Sequence, residues 1–120
     1  MTWRKRPGAP PAGTALCACA ALAERKAKGF VFGAGSDRFE LFVVRAEGRV
    51  SGYVNDCPHT HTPLDFQPDR FFNRERTLLL CSTHGALFRI DDGYCVRGPC
   101  AGQSLTPVPV TERDGQIVLA

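Results

Sequence analysis

The sequence lacks long apolar runs and strong helical periodicity, and it has few histidines. No stretch approaches the roughly 18 consecutive apolar residues that a membrane-spanning helix needs, so we expect no membrane partner. No helical hydrophobic pattern extends beyond about two or three turns, which argues against an α-helical fold. Only three of the 120 residues are histidine, which limits the imidazole ligands available to a metal. The length suits a single domain.

Positive charge is concentrated at the start of the chain. Residues 1–28 hold six basic side chains and one acidic one, whereas the remainder holds nine basic and eleven acidic. A nucleic-acid binder concentrates basic residues on its folded face, so we expect no nucleic-acid partner. Three prolines lie within residues 1–13, which we interpret as a flexible basic arm before one domain over residues 14–120. The start does not have the pattern of a signal peptide, and we expect a cytoplasmic location.

Short β-prone runs separated by turn residues make up most of the domain. Residues 39–44 and 49–54 flank Glu47-Gly48 and predict a hairpin. Two Asp-Gly steps farther along each lie between short apolar runs, and such steps supply the positive φ that tight hairpins need. Residues 14–29 stay ambiguous, because they are Ala-rich enough for a short helix but contain two cysteines. The pattern predicts an all-β protein of short antiparallel strands.

Two pairs of thiol and imidazole side chains lie at predicted strand ends. Cys57-Pro58-His59 forms the first pair, and Cys81-Ser82-Thr83-His84 forms the second. Two cysteines and two histidines suit either zinc or an iron–sulfur cluster. Zinc sites of this composition usually place both cysteines in one pair and both histidines in the other. Mixed pairs instead suit two bridged irons, one bound by both thiolates and the other by both imidazoles.

These two boxes, the second extended by Gly85, resemble the ligand motifs of the Rieske family. Gly98-Pro99 is similar to the proline-bearing loop that covers the cluster in that family. The resemblance implies a Rieske-like sandwich of antiparallel β-sheets, with a cluster-binding subdomain of two loops inserted at about residues 55–100. It also implies one Rieske-type [2Fe–2S] cluster per chain, with Cys57, His59, Cys81 and His84 as its ligands.

Departures from the family pattern predict a low reduction potential. High-potential members join their two ligand loops by a disulfide, where this chain has Thr62 and Thr83. They also carry Ser and Tyr after the second box, where this chain has Ala86 and Phe88. Fewer hydrogen bonds to sulfur stabilise the reduced cluster less. We therefore expect a potential near the lower end of the Rieske range of about −150 to +300 mV.

Several further residues are expected near the cluster: His61, Gly85, Ala86, Phe88, Pro99 and Cys100. His61 could be an alternative ligand, but we interpret it as an exposed loop side chain that tunes the cluster electrostatically. Four cysteines lie outside the boxes, and we interpret them as buried or half-buried thiols. Of these, Cys100 in the third loop is expected closest to the cluster.

Residues 66–75 lengthen the connection between the boxes and form an insertion of unknown purpose. Arg70, Arg74 and Arg76 could form a docking patch. Asp65, Asp69 and Glu75 lie in the same stretch of sequence and balance their charge. We therefore interpret the insertion as a solvated loop.

The resemblance implies a small one-electron carrier that is not catalytic on its own. Its partners would be a reductase upstream and an oxygenase or another acceptor downstream. A Rieske oxygenase also needs a separate iron with two histidines and a carboxylate, and only one histidine would remain here. Two alternatives stay open: a zinc-stabilised interaction module and a Rieske accessory subunit of a larger redox enzyme.

Overall fold

Nine strands arranged in three antiparallel sheets account for the regular structure of the described chain. The computed structural model describes residues 3–58, 61–65, 67–82 and 85–120. The strands are β1 Ala15–Ala18, β2 Lys26–Phe32, β3 Phe39–Ala46, β4 Arg49–Val54, β5 Leu79–Cys81, β6 Ala86–Phe88, β7 Cys95–Arg97, β8 Val110–Arg113 and β9 Gln116–Leu119. The helical elements in these residues are three 3₁₀ turns, at Trp3–Lys5, Cys19–Ala21 and Gly35–Asp37. In the described ranges, no helix is long and apolar enough to cross a membrane.

Each sheet has three strands. The terminal sheet has the order β1-β9-β8, the central sheet β2-β3-β4, and the small sheet β5-β6-β7. The predicted hairpin at Glu47-Gly48 joins β3 to β4, and both turn residues have positive φ, 53° and 75°. A two-residue turn with positive φ at both positions matches the right-handed twist of the strands it joins. The predicted all-β class and antiparallel arrangement are confirmed.

Strand β3 is buried on both faces and divides the interior into two cores. Leu41 and Val43 belong to the core shared with the terminal sheet. Phe42 and Val44 belong to the core shared with the small sheet and the connections around it. Alternate side chains of a strand point to opposite faces, so the apolar run 41–44 within β3 can serve both layers. The central sheet therefore supports the small sheet that carries the second Cys–His box.

The described part of residues 1–13 packs against the core, which corrects the expectation of a flexible arm. Trp3 is 2% exposed, and its ring centroid lies 5.9 Å from that of Phe39. Arg6 Nη1 lies 3.0 Å from Asp56 Oδ2 in an ion pair. Proline and arginine content indicated a loose segment, but one buried indole and one ion pair anchor it. The ambiguous residues 14–29 likewise contain strand β1, whose partner is β9 near the other end of the chain.

Candidate metal centre

Cys57 and Cys81 lie fully buried in the core between the central and small sheets. Cys57 comes three residues after the end of β4, and Cys81 is the last residue of β5. Cys81 pairs with Ala86 across β5 and β6. Each thiol thus follows a strand whose hydrogen bonds fix the backbone direction, as the sequence predicted.

The backbone makes the same kind of turn after each cysteine. The carbonyl oxygen of Cys57 accepts the N–H of His61 at 2.7 Å, and that of Cys81 accepts the N–H of Gly85 at 2.8 Å. The closing residues both have positive φ, 58° at His61 and 76° at Gly85. In the sequence, the predicted ligands His59 and His84 fall inside these two turns. Both histidines lie outside the described residues.

One backbone hydrogen bond joins the second turn to the chain that follows the first turn. Ser82, directly after the second cysteine, donates its N–H to Leu64 O at 3.0 Å. Cys57 donates its N–H to Thr62 O at 2.9 Å, which closes the first loop on itself. Two boxes separated by a long stretch of sequence are therefore adjacent, as a shared site requires.

The side chain of Asn55 holds the first loop in place. Asn55 was not among the site residues predicted from the sequence. Its side chain is buried, with Oδ1 accepting the N–H of Leu64 at 2.7 Å. Its Nδ2 donates to Asp65 Oδ1 at 2.9 Å. A buried amide with both ends bonded holds a loop in one conformation. The signal in the sequence was a polar residue directly after an apolar strand and two positions before the ligand box.

The third loop lies directly against β6. Gly98 has φ of 105°, and a Cβ placed on it would lie 2.7 Å from the Cα of Ala86. Only glycine permits this combination of backbone angle and close approach. Pro99 is exposed, whereas Cys100 is 1% exposed. The structure thus brings the predicted third loop next to the strand that follows the second box.

Cys95 and Cys100 form a buried pair of thiols beneath this loop. Their Sγ atoms lie 3.3 Å apart, and the Cys95 thiol donates to Arg97 O at 3.2 Å. Burial, together with the neighbouring thiols of Cys95 and Cys57, raises the pKa of the Cys100 thiol to about 12. Within the described ranges, no three His, Cys, Asp or Glu side chains form a group that could hold a metal ion.

The remaining predicted neighbours divide into exposed and buried residues. The side chain of His61 is 75% exposed, and its Nδ1 lies 3.2 Å from Asp56 Oδ1. Gly85 is exposed in its turn. Ala86 and Phe88 are fully buried and offer no hydroxyl group. Cys17 and Cys19 are half-buried beside the other core and lie apart from these residues.

This arrangement fits a [2Fe–2S] cluster with two kinds of ligand. Two buried thiols each open a turn whose sequence includes a histidine, so the two adjacent loops would offer two sulfur and two nitrogen donors. A Rieske cluster needs that donor set, because one iron is bound by two thiolates and the other by two imidazoles.

Comparison with known proteins agrees with this assignment. A family model described as the Rieske [2Fe–2S] domain matches residues 14–112. No curated protein sequence matches the chain significantly.

Solved structures of similar fold include two ferredoxins. The ferredoxin of carbazole 1,9a-dioxygenase from Nocardioides aromaticivorans IC177 is 21% identical with a TM-score of 0.68, over 92% of this chain and 98% of that one. A ferredoxin from Sphingomonas yanoikuyae B1 is 24% identical with a TM-score of 0.63, over 89% and 96%. A chain in the complex of reduced oxygenase and oxidised ferredoxin of carbazole 1,9a-dioxygenase is 20% identical with a TM-score of 0.69, over 88% and 90%. At these identities the similarity shows a shared fold.

Proposed function

The chain belongs to the Rieske [2Fe–2S] domain family, and we propose that it works as a one-electron carrier between redox proteins. We further propose that Cys57 and Cys81 bind one iron of its cluster and that His59 and His84 bind the other. The observation that carries this proposal is the pair of matching turns, each opened by a buried cysteine and joined through Ser82 and Leu64. The bound cluster supplies reversible uptake and release of one electron.

The protein surrounds the two ends of the proposed site differently. Cys57 and Cys81 lie in the core, where apolar side chains keep water away from the thiolates. The residues that flank the two histidine positions are more accessible, with His61, Ser82 and Gly85 all exposed. This difference supports electron exchange with a partner through the imidazole side.

The surroundings of the thiolates support a low potential. Ala86 and Phe88 hold buried positions beside the second box and cannot donate a hydrogen bond to sulfur. Without such donors, the additional negative charge of the reduced state is less stabilised. The proposed carrier therefore works near the lower end of the Rieske range.

We do not assign catalysis to these residues. A mononuclear iron site of the oxygenase type needs two histidines and a carboxylate. Beyond the two proposed ligands this sequence has His61 alone, which pairs with Asp56 on the surface. The residues present therefore favour a carrier that serves another enzyme.

The proposed partners are a reductase upstream and an oxygenase or another acceptor downstream. A protein of similar fold has been solved in the complex of oxygenase and ferredoxin of carbazole 1,9a-dioxygenase, which supports this direction of electron flow. A cytoplasmic location, expected from the sequence, belongs to the same proposal.

Spectroscopy and metal analysis of matched histidine variants test the site. The purified protein should be reddish, contain two irons and two acid-labile sulfides per chain, and give a rhombic EPR signal after reduction with dithionite. His84→Ala should abolish that signal, whereas His61→Ala should preserve it. A colourless protein with one zinc per chain, or a normal signal in His84→Ala, would overturn the ligand set. A cluster without a reversible one-electron titration would overturn the carrier role.

A further inference from the structure

Ion pairing is uneven across the described surface. Five arginines have a carboxylate within ion-pair distance: Arg6, Arg25, Arg38, Arg45 and Arg89. Four exposed cationic side chains around the insertion have no such partner among the described residues: Lys26, Arg70, Arg74 and Arg76. Arg49 and Arg113 are also exposed and without an ion pair among the described residues, but the four cations differ from them in lining one shared groove.

Two of the acidic residues near the insertion form hydrogen bonds that attach it to the domain. Asp69 Oδ1 accepts the backbone N–H of Gly29 in β2 at 2.8 Å. Asp65 accepts Asn55 Nδ2 at 2.9 Å and the N–H of Asp69 at 3.1 Å. Both carboxylates are thus used to attach the insertion to the domain, and the arginines face outward.

The described part of the insertion, residues 67–75, packs on the core and so positions these charges. Phe71 is fully buried, and its ring stacks on Phe42 of β3 with centroids 4.2 Å apart. Leu80 in β5 donates its N–H to Phe71 O at 2.8 Å. Asn73 Oδ1 accepts the N–H groups of Thr77 and Leu78, which closes the return to β5. Residues 71–78 are therefore attached to the core by packing and by hydrogen bonds.

The four cations border one groove that reaches the proposed cluster loop. The groove has a volume of about 680 Å³ and lies between β2 and the insertion. Leu80 and Ser82 line its far end, on either side of Cys81. Asp69, whose Oδ1 accepts the N–H of Gly29, is the one acidic residue among the described residues that line it, so four positive charges outweigh one negative charge there. A partner seated in this groove would lie beside the second ligand turn.

We propose that this cationic groove, formed by Lys26, Arg70, Arg74 and Arg76, is the docking surface for a partner redox protein with a carboxylate-rich face. The inference rests on the proposed carrier function, since it assigns the chemistry of the partner. Complementary charge raises the rate of encounter and selects the orientation in which electron transfer is short. The insertion supplies that charge at the edge of the cluster loop.

A protein partner suits the groove better than a nucleic acid. The cations are limited to one groove, and from residue 29 onward the chain carries more acidic than basic side chains. Phe72 is half-buried, and the guanidinium of Arg76 lies 6.0 Å from the centre of its ring. A single-strand binder would instead use such a ring for base stacking.

The test uses the cluster-loaded protein and an acidic flavodoxin as the reducing protein. Stopped-flow rates are measured for Arg70→Gln/Arg74→Gln and for the control Arg49→Gln/Arg113→Gln. The control removes the same charge from exposed arginines outside the groove. At low ionic strength the groove variant should react about fivefold or more slowly than wild type, and the control should stay within about twofold. About 0.5 M salt should remove the difference.

Each other outcome has a defined meaning. Equal effects of the two double variants, or none, would overturn the docking surface while a normal wild-type EPR signal and reversible titration keep the carrier function intact. An unchanged flavodoxin rate, with loss of binding to a single-stranded DNA oligomer, would assign the groove to nucleic acid and overturn the proposal. Failure of the wild-type cluster to cycle reversibly would overturn the carrier function itself.

Discussion

The Sγ atoms of Cys95 and Cys100 lie 3.3 Å apart in the interior, with Gly98 and Pro99 in the chain between them. The backbone closes the same loop, because Cys95 donates its N–H to Gln103 O and accepts the N–H of Gly102. The third loop is therefore fixed by its own hydrogen bonds and by two thiols in contact. Its shape does not depend on a disulfide.

These contacts predict that Cys95 and Cys100 resist alkylation in the folded protein. With its pKa raised to about 12, the Cys100 thiol is ionised in only roughly one molecule in ten thousand at pH 8. Cys17 and Cys19 are half-buried and should react first. Iodoacetamide labelling followed by mass spectrometry, before and after unfolding, measures the order. Labelling of Cys100 as rapidly as Cys19 in the folded state would contradict the buried pair.

Gly98→Ala should loosen the third loop and lower the retention of the cluster. The new Cβ would lie 2.7 Å from Ala86 Cα, so the loop or β6 must move. Gly102→Ala is the matched control, because Gly102 also has positive φ but no atom within 4 Å of a Cβ. Both variants share the backbone strain of about 1 kcal/mol, and only Gly98→Ala adds the clash.

Urea midpoints and the ratio of visible to ultraviolet absorbance compare the two glycine variants. We expect Gly98→Ala to be the less stable by a further 1 to 3 kcal/mol, about the usual cost of overpacking. Equal losses in the two variants would show that the close approach to Ala86 is unimportant.

Asn55→Ala should destabilise the first ligand loop by about 1 to 3 kcal/mol. The substitution removes the acceptor of Leu64 N–H and the donor to Asp65, and it leaves buried polar groups unpaired. Asn55→Asp keeps the acceptor for Leu64 N–H but replaces the donor to Asp65 with a second carboxylate. Comparing it with Asn55→Ala therefore shows how much stability comes from the bond to Leu64 and how much from the bond to Asp65. Urea unfolding and iron content per chain report both effects. Wild-type stability and iron content in Asn55→Ala would refute the role given to this amide.

Local signals predicted the parts of the fold that depend on neighbours in sequence. The β3–β4 hairpin was predictable because Glu47-Gly48 specifies the turn and apolar residues flank it. Strand β1 was not, because its partner β9 lies about a hundred residues away. Strand β2 begins at Lys26 rather than at the apolar run from Phe30, because pairing with β3 extends it beyond its apolar residues.

In the site, too, features set by local sequence were predictable and contacts between distant segments were not. The spacing of the two boxes predicted that Cys57 and Cys81 would lie at strand ends, and the structure places them there. The buried bonds of Asn55 and the Cys95–Cys100 contact could not be read from spacing, because they depend on how separate loops meet. The attachment of the insertion to β2 through Asp69 could not be read from spacing for the same reason.

Stability should fall in acid partly through Glu24. Its carboxylate accepts the N–H groups of Glu47 and Gly48 at the β3–β4 turn, and these two bonds lower its pKa below the usual value of 4.5. A group whose pKa is lower in the folded state stabilises the protein above its unfolded pKa. That contribution is lost as the pH falls from about 5 through the lowered folded value.

Glu24→Gln isolates this contribution. The amide cannot titrate, so the variant should be less stable than wild type at pH 7, and the gap should narrow as the pH approaches 3. Glu112 and Asp92 also have lowered pKa values, but they titrate in both proteins and cancel in the difference. Urea midpoints are compared at several pH values at which the visible absorbance of the cluster persists. A stability difference between wild type and Glu24→Gln that is constant over this pH range would mean that the charge of Glu24 does not stabilise the turn.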